Sequence, residues 1–518
     1  MRRRRKNEPQ SRRQFLTRSA GAALGAAALA PFAAQSAHAA PADRKWDEEV
    51  DVIVVGTGIA GTIAAIAAAE KGSKVLMLEK MSFPGGTSLV SGLDFACVGS
   101  PLQKEKGVKD APELLAGDMA KVSGGFGSYE RALLMAKTTA RVESFLTAHG
   151  VKWDGRLLKL GGHSVARGLS AQGGGAGMLS ALWNWMKAHS DIQIRTKCRA
   201  EEVLFNEKGE ASGLRVREGY VFSRNADDDW ANATGVMKTI RARQAVVFAT
   251  GGYAQDKAFR SSEVPFLAGV VSTTNAGATA GSLKTLEAAG AQAVQLSLFR
   301  FAYPLPTEDM IWGMLIDPAT GRRFMSEGET RNTLASAVLQ HRLRNGDRKP
   351  FIVWDEKALK KFHNMKRLEQ SLADKNGIDG AILKFASLDE LAKHYSTDGK
   401  ALQESLVKYN ELIAGGRDTE FNKPMERSGR KVEPLSAEGP FYTMVVTPRL
   451  NYTPGGIRTN EKAQAIRLRD GAPIPRLYVA GEASGGLHGQ ERLTACSMPD
   501  CSSFGLIAGE NAAAETRI

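Results

Sequence analysis

The chain has 518 residues, 43% of them hydrophobic, with 54 glycines, 4 cysteines and a formal net charge of +13. That length calls for two or three domains, the apolar share excludes a mostly disordered chain, and four cysteines exclude a disulfide scaffold. The charge points to nucleic acid only until it is located along the chain.

Residues 1–39 hold more than half of it. Arg2, Arg3, Arg4, Arg5, Lys6, Arg12, Arg13 and Arg18 stand against Glu8 alone, a net +7 that leaves +6 for the rest. An Ala-rich apolar run from Ala20 to Ala34 follows and ends in Ala37-His38-Ala39, a small-x-small cleavage pattern. Basic start, short apolar middle and small-residue end describe a cleavable secretory signal over residues 1–39. Within it, Ser11-Arg12-Arg13-Gln14-Phe15-Leu16 resembles the twin-arginine motif. That route carries folded proteins, so a cofactor inserted before export and a mature chain in a bacterial periplasm are expected. No later stretch reaches the ~18 apolar residues of a spanning helix, so an integral membrane protein is not expected. The mild +6 gives no support for a nucleic-acid partner and suits small organic anions.

The first chemical motif follows. Val50 to Val55 is a β-branched run of strand length, then come Gly56-Thr57-Gly58-Ile59-Ala60-Gly61 and an Ala-rich helical stretch to Lys71. A second strand, Lys74 to Leu78, ends at Glu79 and Lys80, with Glu79 placed 23 residues past the first glycine. Strand, G-x-G-x-x-G, helix, strand and acid in this order predict dinucleotide binding. The glycines allow the tight turn, the approach of a pyrophosphate and close helix packing, and the helix start supplies N–H donors. Pro84-Gly85-Gly86-Thr87-Ser88, with Gly92 beyond, comes next. Far downstream, strands end at Thr250-Gly251-Gly252 and at Gly481-Glu482. Each could be a plain βα turn. Together they place three glycine-containing strand ends around one dinucleotide and favour FAD over NAD.

In these motifs and their order the chain resembles the fumarate reductase/succinate dehydrogenase flavoprotein family, in its soluble flavocytochrome c-like branch. The resemblance is carried by Gly161-Gly162-His163-Ser164-Val165 with Gly173-Gly174-Gly175-Ala176-Gly177, by Asn275-Ala276-Gly277-Ala278-Thr279, and by Gly321-Arg322-Arg323-Phe324 through Arg331. It continues in Gly455-Gly456-Ile457 and in the long run Gly481 to Leu493. One departure is Gly281, where the family has Asp. The resemblance implies an α/β fold: a Rossmann-like FAD-binding domain split over residues 44–300 and 439–518, with an inserted α+β capping domain over 301–438. The intervening sequence agrees, because Glu356–His363, Leu388–His394 and Leu402–Ile413 read as charged amphipathic helices.

The resemblance also implies a reaction: reduction of the C=C bond of a small unsaturated carboxylic acid, fumarate-like or an aryl or alkyl acrylate, by non-covalently bound FAD. Arg492, near His488, matches the family's carboxylate-binding arginine, a task that suits a planar guanidinium. It could also be a surface arginine or a pyrophosphate counter-ion. Arg331 matches the family's proton donor, although Glu327 and Glu329 could make it a plain salt-bridged residue. Thr307 and Glu308 match a Thr-Glu pair that contacts substrate and relays protons. The family's relay arginine is missing after Glu308, and Glu329 is the candidate to replace it. Asn451 stands where the family has a substrate-binding His, and Tyr303 falls near the place of another. One carboxylate clamp is therefore kept and the second altered, with Tyr303, Tyr452 and Trp312 as candidates to line the changed end.

No Cys-x-x-Cys-His occurs, so an external electron donor is expected, such as a periplasmic cytochrome c or a quinol-linked protein. No metal site is expected. Cys496 and Cys501 could form a disulfide or remain buried thiols. Two other functions stay open: a dehydrogenase of the 3-ketosteroid type, and a flavin electron carrier without its own substrate. Arg331 and Arg492 argue against the first.

Overall fold

The computed structural model describes residues 44–518 apart from Leu93, 226–227, 376–378 and Ser428. The export signal expected over residues 1–39 lies outside the described residues.

The β-branched run becomes the strand Glu48–Val55, buried from Asp51 onward because apolar layers cover both of its faces. It pairs in parallel with Val75–Leu78 on one side and with Val236–Phe248 on the other. Ile192–Arg195 extends the sheet beyond Val75–Leu78, and Pro473–Val479 adds to Val236–Phe248, both in parallel. Gln464–Ile466 closes that edge antiparallel, and the hairpin Cys198–Phe205/Ala211–Glu218 branches from Val236–Phe248. The strands that carry Gly56, Thr250 and Gly481 at their ends are thus three parallel neighbours in one mixed sheet, 425 residues apart at the extremes.

The helix Ile59–Ala69 covers this sheet, and ten of its eleven residues are buried. Its alanines let the C-terminal helix Ser497–Ala514 come unusually close. A Cβ on Gly505 or Gly509 would lie 3.0 and 2.8 Å from the Cα atoms of Ala60 and Ala64. That contact brings the start of the terminal helix, with Asp500 and Cys501, beside the Gly56–Gly61 turn.

A second sheet, antiparallel throughout, has the order Arg322–Arg323, Met314–Asp317, Phe351–Asp355, Phe441–Val445, Leu383–Phe385. Helices Arg331–Arg344, Leu388–Tyr395 and Gly399–Ala414 close a separate apolar core over it. Phe441–Val445 is a central strand here, so the chain leaves this sheet only after Val445. The passages into and out of it, Arg300–Ala302 and Arg449–Tyr452, pair antiparallel with Arg300 opposite Tyr452.

The helix expected over Glu356–His363 is helical only over Glu356–Leu359. Phe362 turns inward against Trp354, with ring centroids 5.3 Å apart, and the His363 N–H donates to Asp309 at 3.2 Å. A buried aromatic and a side-chain acceptor outcompete the helix there. The other two expected helices lie within Leu388–Tyr395 and Gly399–Ala414.

Candidate active site

The glycine turn opens into a cavity of about 880 Å3, open mouth included. Gly56 holds φ +98°, and a Cβ there would strike the Ala249 backbone of the neighbouring strand. The following helix starts at Gly58, which supplies no side-chain cap, so amides of its first turn beyond Ile59 can meet phosphate. Ser88 steadies that start by accepting from the Ile59 N–H at 3.0 Å. Glu79 is buried and accepts from the Thr57 hydroxyl at 2.6 Å and the Met81 N–H at 2.9 Å.

Of the residues expected to hold cofactor, Gly56, Gly58, Ile59, Ala60, Glu79, Lys80, Gly86, Thr87, Ser88, Thr250, Gly251 and Glu482 line this cavity. Gly61, Gly85, Gly92, Gly252 and Gly481 stand outside its lining. Gly61 allows the helix to pack on the Gly56 carbonyl, and Gly481 packs on Ala60. The wall also includes Asn275 and Thr279, from the Asn275–Thr279 motif, and Arg199, Ala200 and Cys501, which no local motif announced.

At one end Lys80 donates to Thr279 at 2.5 Å and sits 3.6 Å from Asp229. Asp229 also accepts from Thr279 at 2.9 Å. A Cβ on Gly281 would lie 2.7 Å from Asp229, so Asp229 occupies the space that the family's Asp leaves empty here. At the other end Glu482 accepts from the Thr453 N–H at 2.8 Å and its hydroxyl at 3.1 Å. Burial pushes the Glu482 carboxyl up to about 7. An uncapped helix start, a ribose-distance acid and this cavity fit a dinucleotide.

Beyond Glu482, the two sheets meet at a cluster of arginines. Arg492 is buried, with its guanidinium 4.8 Å from the centre of the Tyr452 ring and its Nε without a protein partner. Tyr452 itself donates its hydroxyl to Asp500 at 3.0 Å, and His488 Nε2 lies 3.1 Å from the same carboxylate oxygen. The hydroxyl of Tyr452 is thus engaged, and what Tyr452 offers Arg492 is its ring face. His488 Nδ1 is buried without a partner, and burial lowers its pKa.

From the second sheet, Arg331 opens the helix Arg331–Arg344, whose N-cap is Thr330. Arg331 donates through Nε to Thr307 at 3.2 Å and through Nη2 to Glu308 at 3.3 Å. Burial raises the Glu308 carboxyl, but Arg331 and then Arg427 outweigh it and hold it below the usual carboxylate range. Glu329 is exposed and does not join this group. Arg427, about a third exposed, lies 4.0 Å from Glu308 instead. Gly161 lets the other layer approach, since a Cβ there would lie 3.0 Å from Glu308. The neighbouring Asn332 donates to the Gln490 carbonyl at 2.8 Å, which ties the Arg331 helix to the Arg492 loop.

Asn451 accepts from Arg300 at 3.1 Å, and Tyr303 is buried with its hydroxyl unpartnered. Trp312 belongs to the core of the second sheet, where Lys361 lies 5.5 Å from its ring centre. Cys496 and Cys501 are free thiols, and burial raises the pKa of both. Arg300, Arg427 and Asp500 were not read from the sequence.

Cavity and cluster together define an FAD-dependent oxidoreductase. A family-wide description of the FAD binding domain matches residues 51–498. The chain belongs to this FAD-binding family, within its fumarate reductase members. It is 33% identical to the acrylate reductase flavoprotein subunit of Shewanella woodyi, over 96% of this chain and 97% of that one. It is 31% identical to a fumarate reductase (cytochrome) of Shewanella frigidimarina, over 90% of this chain and 77% of that one. The solved structure of the open conformation of a flavocytochrome c3 fumarate reductase matches with a TM-score of 0.75 at 27% identity, covering 90% of this chain and 79% of that one. A 3-ketosteroid dehydrogenase from Rhodococcus jostii shares the fold, with a TM-score of 0.72 at 22% identity. Among the described residues no helix is long and apolar enough to cross a membrane.

Proposed function

We propose that this protein reduces the C=C bond of a small α,β-unsaturated carboxylic acid at the junction of its two sheets. The observation that carries this reading is the pairing of Arg331 with Glu308 beside the buried Arg492. The relatives named for acrylate, fumarate and urocanate reduction support the substrate class. A steroid substrate has no use for a cluster of buried guanidiniums.

FAD, held without a covalent bond, supplies hydride chemistry when bound. Arg492 grips the substrate carboxylate, with Tyr452 under its guanidinium and Glu482 as its nearest acid on the flavin side. Drawing charge toward the carboxylate polarises the conjugated double bond. Arg331 delivers the proton to the α carbon. Thr307 and Glu308 hold its guanidinium in one plane, and a fixed cation also stabilises the developing negative charge. The proton lost by Arg331 is restored through Glu308, which reaches solvent by way of Arg427. Burial of Arg492 and half-burial of Arg331 limit the access of competing water.

The altered Asn451 position favours an acid other than fumarate. The protein works in the periplasm after twin-arginine export, and a separate cytochrome c or quinol-linked protein supplies its electrons. The test is a panel of acrylate, methacrylate, fumarate, cinnamate and urocanate offered to enzyme reduced by a viologen. Reoxidation of the bound flavin by at least one acid other than fumarate is expected. Silence toward every acid overturns the reaction, and fumarate as the only good substrate overturns the altered-clamp reading. A fractionation that leaves the protein in the cytoplasm overturns export.

A further inference from the structure

Arg300 lies in the short strand that leads into the second sheet, directly opposite Tyr452. Its relative exposure is 4%, yet its protein partners are neutral. Nε donates to the Arg492 carbonyl at 3.3 Å, and Nη1 donates to Asn451 Oδ1 at 3.1 Å. A guanidinium carries five donors, so this arrangement leaves most of them to be satisfied. Among the described residues neither Arg300 nor Arg492 forms an ion pair, whereas Arg331 and Arg427 both sit against Glu308. Burial drives the Arg300 pKa well down, and the charges of Arg492 and Arg331 drive it further. Glu491 and Glu308 temper the charge on Arg300 from beyond ion-pair distance, and two desolvated cations side by side with no carboxylate in contact are costly unless an anion completes the set.

The surroundings favour an acceptor in the same place. Asn451 spends its carbonyl oxygen on Arg300, which turns its amide nitrogen into a further donor. Tyr303, three residues on, keeps a buried hydroxyl without a partner. This end of the site is built from donors, and a carboxylate is the group that planar, paired donors fit best.

We propose that Arg300 is a second ligand for the substrate carboxylate, acting beside Arg492 and restoring at a new position the positive charge that Asn451 lacks. This rests on the reductase reading for the identity of the acid, but binding can be tested without turnover. Two sources of carboxylate are open: the single group of an acrylate-type acid, or the distal group of a diacid.

The experiment uses the FAD-loaded enzyme and its Arg300→Gln and Arg300→Lys variants. The oxidised flavin spectrum is titrated with propionate and succinate, which do not react, and KM and kcat are measured with acrylate and fumarate. Arg300→Gln is expected to keep its FAD and to raise Kd and KM roughly 10- to 100-fold, the worth of a charged hydrogen bond, with a smaller change in kcat. Arg300→Lys should recover part of the loss. Weakening toward both acids assigns Arg300 to a carboxylate shared with Arg492, and weakening toward the diacid alone assigns it to the distal group. Unchanged Kd and KM for every acid overturn the proposal, as does failure of propionate and succinate to bind the unmodified enzyme. If Arg300→Gln does not fold, the same criteria are applied to Arg300→Lys. Acid binding without any turnover overturns the reductase reading and leaves the Arg300 result standing.

Discussion

Arg323 and Arg492 are equally hidden from water and keep opposite company. Arg323 is clasped by Glu327 at 3.0 and 2.9 Å and by Asp418 at 2.8 Å, while Lys423 meets Glu327 at 3.1 Å and Tyr409 and Phe421 cover the guanidinium. Arg492 has a backbone carbonyl at 3.4 Å and the face of Tyr452. Burial alone therefore does not tell a structural arginine from a binding one. The match of charge does: carboxylates of the protein meet the charge on Arg323, although its Nη1 makes no hydrogen bond, and the charge on Arg492 stays open to an anion.

The two regions should therefore fail differently. The largest loss of stability is expected from Arg323→Met, which strands Asp418 and half of Glu327. About 3–5 kcal/mol is the range for breaking a buried pair, and it should appear as a lowered Tm. Arg331→Gln should keep its FAD and its Tm while kcat falls by about 10²- to 10³-fold, the scale of losing a fixed charge at the transition state. A parallel loss of Tm would place Arg331 with Arg323 instead. Arg427→Gln should slow turnover by roughly 10-fold, toward the low end for proton delivery, and should shift the pH profile of kcat. An unchanged profile removes Arg427 from the proton route.

The last effect concerns pH. Glu482 titrates at about 7 in the folded protein, against an ordinary value of 4.5, because burial disfavours its charged form. A raised folded pKa adds stability that is complete below pH 4.5 and lost as pH rises through about 7. Thermal melts of the FAD-loaded protein should show this slope, and Glu482→Gln should flatten it. A slope that survives the substitution belongs to another group.

The flavin cradle was largely legible in the sequence because its signals are local. A β-branched strand, a glycine turn, an Ala-rich helix and an acid follow one another within about thirty residues, and each element dictates the next. The arginine cluster was half legible. Arg331, Glu308 and Arg492 sit in recognisable motifs, but Arg300 acquires its neighbours only when a three-residue strand pairs with another about 150 residues away. So short a strand has no periodicity to read. Asp500 was hidden because it reaches the site only through helix packing on Ala60 and Ala64. The relay was expected from Glu329, adjacent in sequence, while the group that meets Glu308 comes from the distant pair Glu426–Arg427/Arg430–Lys431. Proximity along the chain was a poor guide where two layers meet.

Asp229 carries the same point further. It fills the room beside Gly281 and keeps Lys80 company from a position 52 residues earlier in the chain. A carboxylate restored at 281 would collide with it, and a carboxylate lost at 229 would leave Lys80 without its partner. In this packing the room beside position 281 takes one carboxylate, and Asp229 is the residue that supplies it.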